Sequence, residues 1–204
     1  TNIAAADIST ITDTVNSEVL AMSGGLGTTS SANVGAYNLT DTSQGTLILA
    51  NGPSGANQGL ASNYTLTGGT QDYTITQRVL SSSGSKAYDA NTNALAADIT
   101  LSNLVSGETL NHSGTASISS ANAASYTITN LAGITLADNA GLASNYTLTG
   151  GTHNFTVNPK VISLSGSRLY DATTDAVASD LTTISGLVGS ETLNLSGTGS
   201  VTNA

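Results

Sequence analysis

Gly59-Leu-Ala-Ser-Asn-Tyr-Thr-Leu-Thr-Gly-Gly-Thr70 recurs without a change as Gly141 to Thr152, 82 residues further on. A fixed internal period of this length marks a repeated structural unit, and it has to be found before any local pattern is read. Working outward, Arg78-Val-Leu-Ser-Ser-Ser-Gly-Ser-Lys-Ala-Tyr-Asp-Ala90 returns at the same spacing as Lys160-Val-Ile-Ser-Leu-Ser-Gly-Ser-Arg-Leu-Tyr-Asp-Ala172. Ser-Gly-Glu108-Thr-Leu-Asn reappears as Gly-Ser-Glu191-Thr-Leu-Asn, and more loosely as Asn-Ser-Glu18-Val-Leu-Ala. If a module opens at Arg78 or Lys160, residues 78–159 form a complete copy. Residues 1–77 are then a copy lacking its opening strand, and 160–204 the first half of a third. Both ends fall inside a module, so the chain is expected to be a window of a longer tandem array.

The rare residues follow the repeat. The eight aromatics occupy four phases: Tyr37/Tyr126, Tyr64/Tyr146, Tyr73/Phe155 and Tyr88/Tyr170. The four basic residues occupy two, Arg78/Lys160 and Lys86/Arg168. Large side chains recruited once per module specify a repeated core, which a single active site would not require.

Locally, period-2 alternation dominates, as in Tyr64-Thr-Leu-Thr, Tyr73-Thr-Ile-Thr, Tyr126-Thr-Ile-Thr and Phe155-Thr-Val. Alternation of this kind predicts half-buried strands. The paired glycines Gly68-Gly69 and Gly150-Gly151 predict hairpins, and Leu110, His112, Gly114, Ala116 and Ile118 a further strand whose glycine admits a close backbone or a bulge. Only Ala94 to Asp98, with counterparts at Ala4 to Asp7 and Ala176 to Asp180, reads as a short helical turn. The expected fold is all-β, with tandem small β-sandwich-like modules of 82 residues strung as beads. A solenoid would show a period of roughly 20–30 residues, and none is visible.

Composition removes several function classes. Of 204 residues, 4 are basic and 13 acidic, a net charge of −9, and only 8% are charged at all. With 32 Thr, 28 Ser and 19 Asn, the solvated surface is hydroxyl and amide rather than ionic. Four cations against an acidic balance argue against nucleic acid as a partner. The sequence contains no cysteine, which rules out disulfides, thiolate metal sites and cysteine nucleophiles. No apolar run approaches the ~20 residues of a membrane helix, so membrane insertion is not expected.

The candidate chemistry is sparse. His112 shares its phase with Leu195 and Met22, which reads as a structural histidine, and His153 shares its phase with Gln71. No Gly-x-Ser-x-Gly elbow is present, and the carboxylates Asp89/Asp171, Asp98/Asp180 and Glu108/Glu191 recur because the module does, so no catalytic residue is assigned. Asp171 and Asp175 are the best calcium candidates, but calcium takes six to eight oxygens and the matching stretch, Asp89 to Asn93, has one charge fewer. No metal or cofactor is therefore expected. Lys86 precedes Asp89 by three residues, as Arg168 does Asp171, which reads as an ion pair. The residues expected to matter are structural. Tyr88 and Tyr170 should be largely buried, with Asp89 and Asp171 capping a local turn, and Tyr64 and Tyr146 should be module aromatics.

The segments Lys86-Ala-Tyr-Asp-Ala90 and Arg168-Leu-Tyr-Asp-Ala172, followed by Glu-Thr-Leu and Asn-Tyr-Thr-Leu, resemble the YDG-type modules of large bacterial exoproteins. The resemblance implies tandem modules in a filamentous-haemagglutinin-like surface adhesin, secreted or held at the cell surface. It carries over no catalytic residues. Alanine stands here where the family has glycine after Tyr-Asp, so the turn is expected not to demand a positive φ.

The function expected is a non-catalytic stalk or spacer of an extracellular adhesin or biofilm-matrix protein. Its partners would be neighbouring modules, with host or matrix glycans engaged through regions outside this chain. The alternatives are a filament subunit assembling with other copies by strand pairing, and, more weakly, a carbohydrate-binding module; sugar platforms favour tryptophan, and this chain has none.

Overall fold

The computed structural model describes residues 2–40 and 43–202. The expected module edges at Thr1 and at Asn203-Ala204 lie outside the described residues. Among these the chain is all-β with short 3-10 turns, and it divides into two compact units. The first is Thr1–Arg78 with Ser144–Thr147, and the second is Val79–Ala143 with Leu148–Ala204.

The first unit contains β1 (Asn2–Ala4), β2 (Leu20–Gly24), β3 (Leu26–Thr28), β4 (Gly35–Leu39), β5 (Leu47–Asn51) and β6 (Gln71–Ile75). They form the antiparallel pairs β1·β3, β2·β5 and β4·β6. The short β7 (Arg78–Val79) stands at the division between the units. Buried Ile3, Leu39 and Leu47 form the core, with Ile8, Met22 and Tyr73 packed against it.

The second unit contains β8 (Ser81–Ala87), β9 (Asn93–Leu95), β10 (Ile99–Ser102), β11 (Asn111–Ser117), β12 (Ala124–Thr127) and β13 (Ile134–Ala137). After β14 (Tyr146–Thr147), which belongs to the first unit, follow β15 (His153–Asn158), β16 (Ser163–Ser165), β17 (Asp175–Val177), β18 (Thr183–Ser185) and β19 (Thr198–Ser200). A four-stranded sheet in the order β10-β8-β15-β12 and a three-stranded sheet β13-β11-β9 share one core, in which Ile99, Phe155 and Val157 of the first meet Ala94, Ala116 and Ile134 of the second. β16 pairs with β18 and β17 with β19.

Matching sequence phases carry matching structure. Ala5–Asp7, Ala96–Asp98 and Ala178–Asp180 are each a single 3-10 turn. Tyr37 faces Tyr73 across β4·β6 as Tyr126 faces Phe155 across β12·β15. The Tyr37 and Tyr126 hydroxyls each donate to the carbonyl four residues upstream, at Asn33 and Asn122.

Two glycines are required by close approach. Gly114 adopts a φ of 101°, and β11 changes partner there, from β13 before it to β9 after it. A Cβ at Gly114 would stand 1.9 Å from the Gly133 carbonyl oxygen. This is the close backbone that the alternation anticipated, and the phase-mates Gly24 and Gly197 share the positive φ. Gly84 lies at the centre of β8, where a Cβ would meet the Asp98 carbonyl oxygen at 2.3 Å and the Phe155 ring at 2.9 Å.

The glycine pairs do not form the expected hairpins. Gly68 and Gly150 do turn with positive φ, but Tyr64 to Leu66 is not a strand and β14 is not in the sheet of β15. The turn at Gly150 leads instead into β15, an interior strand whose neighbours β8 and β12 come from distant sequence. β15 takes β8 as its neighbour in parallel, Ser82 opposite His153 through Ala87 opposite Asn158. Short-range alternation carries no information about such a pairing.

Gly84→Ala is expected to destabilise the second unit by about 1–3 kcal/mol, because the added methyl must displace backbone and a fully buried ring. Thermal unfolding monitored by circular dichroism checks this, and an unchanged midpoint would contradict the packing described.

Candidate functional site

The recurring turn after β8 is a densely bonded polar site of the second unit. Lys86 holds its ammonium 2.8 Å from Asp89 Oδ1, 2.9 Å from the Asn91 carbonyl and 2.8 Å from Asn91 Oδ1. Its side chain is only 9% exposed, and three N–H groups meet three oxygens, which satisfies a nearly buried cation. Asp89 in turn accepts the Asn91 backbone N–H at 3.1 Å, an Asx turn, and the Asn91 side-chain amide at 2.7 Å. The Lys86 hydrogen bond, helped by those from Asn91, holds the Asp89 carboxyl below its ordinary range.

Arg168 repeats the arrangement with a different cation. It pairs with Asp171 and donates to the Thr173 carbonyl, while Asp171 Oδ1 accepts the Thr173 N–H at 3.0 Å and the Thr173 hydroxyl at 2.9 Å. Asp171 is likewise lowered, chiefly by Arg168. Both aspartates cap the turn as expected. Asp171 is thus engaged by a guanidinium, and Asp175 lies apart in β17. Among the described residues no group of three or more histidine or carboxylate side chains gathers to hold a metal ion.

The tyrosines within these turns differ from expectation. Tyr88 is half-buried against the core, and its hydroxyl donates to the Glu191 carboxylate. That hydrogen bond raises the phenol above its ordinary range. Tyr170 is 84% exposed, contrary to the expected burial. Among the described residues no carboxylate-bearing loop covers it as the Glu191 loop covers Tyr88. Beside Tyr88 and Glu191 lies an open cavity of ≈ 440 Å³, lined also by Pro159, Lys160, Leu187 and Leu193. In the first unit Tyr64, also half-buried, donates to Glu18 Oε2 at 2.5 Å and accepts the Val15 N–H at 3.0 Å. The carboxylate raises this phenol too. Tyr146 is buried, at 3% exposure. Glu18 and Glu191 share one phase of the repeat, and each accepts a tyrosine hydroxyl, though from tyrosines of different phases, Tyr64 and Tyr88, a role the sequence pattern did not assign.

His112 Nε2 bonds the Ile99 carbonyl at 3.0 Å, tying β11 to β10. His153 is buried, with Nε2 2.8 Å from the Leu148 carbonyl and Nδ1 2.9 Å from Ser82 Oγ. A carbonyl beside Nε2 requires that nitrogen to carry the hydrogen, leaving Nδ1 of the neutral ring to accept from the serine. Gln71, its phase-mate, makes the equivalent bond to the Leu66 carbonyl at 3.0 Å. The Ser82–His153 pair has a main-chain carbonyl where a triad has a carboxylate, and its hydroxyl is buried.

This is the geometry of a repeated turn closed in both copies by its basic residue and aspartate, with the tyrosine packed against the core only at Tyr88. Residues 73–153 match the YDG domain. No curated protein and no solved structure matches the chain. Within the YDG domain the residue after Tyr88-Asp89 is Ala90, and its φ is +61°; Ala172 repeats this at +59°. The expectation that alanine excludes a positive φ is therefore overturned. The Lys86 and Asn91 bonds close the turn tightly enough to hold a Cβ-bearing residue in the left-handed region, at a strain of roughly 1–2 kcal/mol.

Ala90→Gly should accordingly raise stability by about 0.5–1 kcal/mol, the released strain outweighing the added entropy of the unfolded chain. A lower denaturant midpoint would overturn the reading. Tyr88→Ala should destabilise by about 1–3 kcal/mol, while Tyr170→Ala should stay within about 0.5 kcal/mol. Because the folded Asp89 titrates low, its ion pair contributes fully above the ordinary Asp range and is lost as pH falls through that range toward the folded value. Lys86→Met should move the Asp89 carboxyl upward in an NMR titration and flatten acid unfolding below about pH 4.

Proposed function

We propose that this chain is a structural stalk or spacer segment of a secreted bacterial surface adhesin or biofilm-matrix protein, and that it works without catalysis. The observation that carries this reading is the parallel pairing of β8, which follows the two-residue β7 at the start of the complete module, with β15, its last strand. Ser82 N–H donates to the Thr152 carbonyl at one end of this ladder and Tyr88 N–H to the Asn158 carbonyl at the other. The chain therefore enters beside Thr152 and leaves beside Tyr88, one strand length further along. A module so threaded advances the chain at every copy, and a force on its two ends shears the whole ladder at once rather than opening it bond by bond.

Three further features support the reading. The polar bonds of the turn, the tyrosine–glutamate contacts and the histidines all serve the scaffold. The surface is hydroxyl-rich and sparsely charged. The match to the YDG domain agrees with the exoprotein resemblance. Among the described residues no helix is long and apolar enough to cross a membrane.

Single-molecule pulling on the chain through its two ends tests the proposal. The expected trace holds an abrupt rupture that releases the length between Leu80 and Asn158 in one step, weakened in Gly84→Ala. Gradual lengthening at low force, or turnover of any substrate abolished by a single substitution, would overturn it.

A further inference from the structure

The turn after β8 brings an amine, an amide and a carboxylate into mutual contact. Lys86 Nζ lies 2.8 Å from Asn91 Oδ1, so a primary amine abuts a side-chain amide. Asp89 bridges the two, with Oδ1 2.8 Å from Lys86 Nζ and Oδ2 accepting the Asn91 Nδ2–H at 2.7 Å. One carboxylate therefore touches both the nitrogen positioned to attack the amide carbon and the nitrogen that would leave it. The Lys86 side chain is nearly buried, whereas Asp89 and Asn91 are exposed.

Closing the turn does not by itself call for this set of groups. In the other copy Arg168 and Asp171 close it with Thr173 in place of Asn91, and Ala172 keeps the left-handed φ of Ala90, +59° against +61°. A lysine and a side-chain amide are thus dispensable for the fold of the turn. The two positions also differ together between the copies, Lys86 with Asn91 and Arg168 with Thr173, around an aspartate common to both. Arginine is permanently charged and threonine offers no acyl carbon, so the turn at 168–173 has neither a nucleophile nor its target. The turn at 86–91 has both.

We propose that Lys86 and Asn91 join autocatalytically in an isopeptide bond, with Asp89 as the catalytic acid–base residue and ammonia as the by-product. The ion pair is the starting state. Transfer of one proton across the 2.8 Å contact turns the Lys86 ammonium and the Asp89 carboxylate into an amine and a carboxylic acid. The deprotonated lysine is a nucleophile, and it attacks Asn91 Cγ. The Nζ–Cγ bond forms and the Cγ–Nδ2 bond breaks, while Asp89 relays two protons, one at a time, from Nζ to Nδ2. Ammonium leaves with the positive charge that Lys86 began with, and Asp89 returns to its carboxylate. No oxidant, cofactor or water is consumed, and the exposed amide releases its ammonium directly to solvent. Holding the three groups in contact replaces a bimolecular encounter, which is what makes so slow an exchange of amides accessible in a folded chain. The bond ties the end of β8 to the approach to β9 and makes the turn covalent. Asp89 keeps its ion-paired state until the bond forms. The inference does not rest on the stalk reading: pulling tests that one and mass tests this one.

The test is intact-mass spectrometry of the folded chain, as purified and through a timed incubation at physiological temperature, with tryptic mapping after denaturation. The expected result is the loss of the mass of one ammonia, located within residues 86–91, together with resistance to trypsin after Lys86, because an acylated lysine is not cleaved. Chain held unfolded in denaturant should keep its full mass. Lys86→Arg and Asn91→Thr each install the residue of the other copy, so the turn still closes and the mass loss should disappear in both. Asp89→Asn should slow the bond by at least about tenfold, with folding checked by circular dichroism. A full mass after the incubation, a loss that maps outside residues 86–91, a loss that survives in Lys86→Arg, or an undiminished rate in Asp89→Asn would each overturn the proposal.

Discussion

The second unit depends on one strand lying flat over one ring. β8 runs between β10 and β15 and crosses the buried face of Phe155 at Gly84, where the Asp98 carbonyl on the other side leaves no room for a methyl. Gly166 stands under the Asp180 carbonyl in the same way, at 1.8 Å from a Cβ. Glycine in a strand interior weakens the strand locally, so its presence reflects the close approach of neighbouring backbone. Here the approach joins three strands over one aromatic core residue and sets the register of the sheet.

The turn that follows β8 is dependent on it. Lys86 sits near the end of that strand, and its ammonium reaches across the turn to Asp89 and Asn91, so the strand's placement aims the cation. The bonds made there hold Ala90 in a left-handed conformation that an isolated alanine avoids. A local strain is thus maintained by a satisfied, nearly buried charge. Arginine serves equally at position 168 because the acceptors are a carboxylate and a carbonyl, which either cation can bond.

Comparison of the two units isolates the contribution of that strand. Where it is present, Ile99–Ser102 is a strand, Phe155 is fully buried and His153 is bonded to Ser82. Where it is absent among the described residues, the matching Ile8–Ile11 has no ladder, Tyr73 is half-buried and Gln71 bonds Gln44 instead. The remainder of the first unit keeps its pairs, including Tyr37 opposite Tyr73.

Much was legible in the sequence. The 82-residue period and the phases of the aromatic and basic residues marked the recurring segments, and the alternation identified β6, β11, β12 and β15, though not the Tyr64 run, which is no strand. The Lys86–Asp89 and Arg168–Asp171 pairs, the aspartate-capped turns and the short 3-10 turns follow from spacing, because they are contacts within five residues. Tertiary structure decided what spacing cannot express. Alternation says which side chains face inward but not which strand lies alongside, so the parallel β8·β15 pair and the failure of the glycine hairpins were invisible. Burial of an aromatic depends on what covers it, so Tyr88 and Tyr170, identical in local sequence pattern, differ because Glu191 lies 103 residues from Tyr88 along the chain and beside it in space. Hydrogen bonds between strands are made at long range, and a single strand's sequence records only its own half of each.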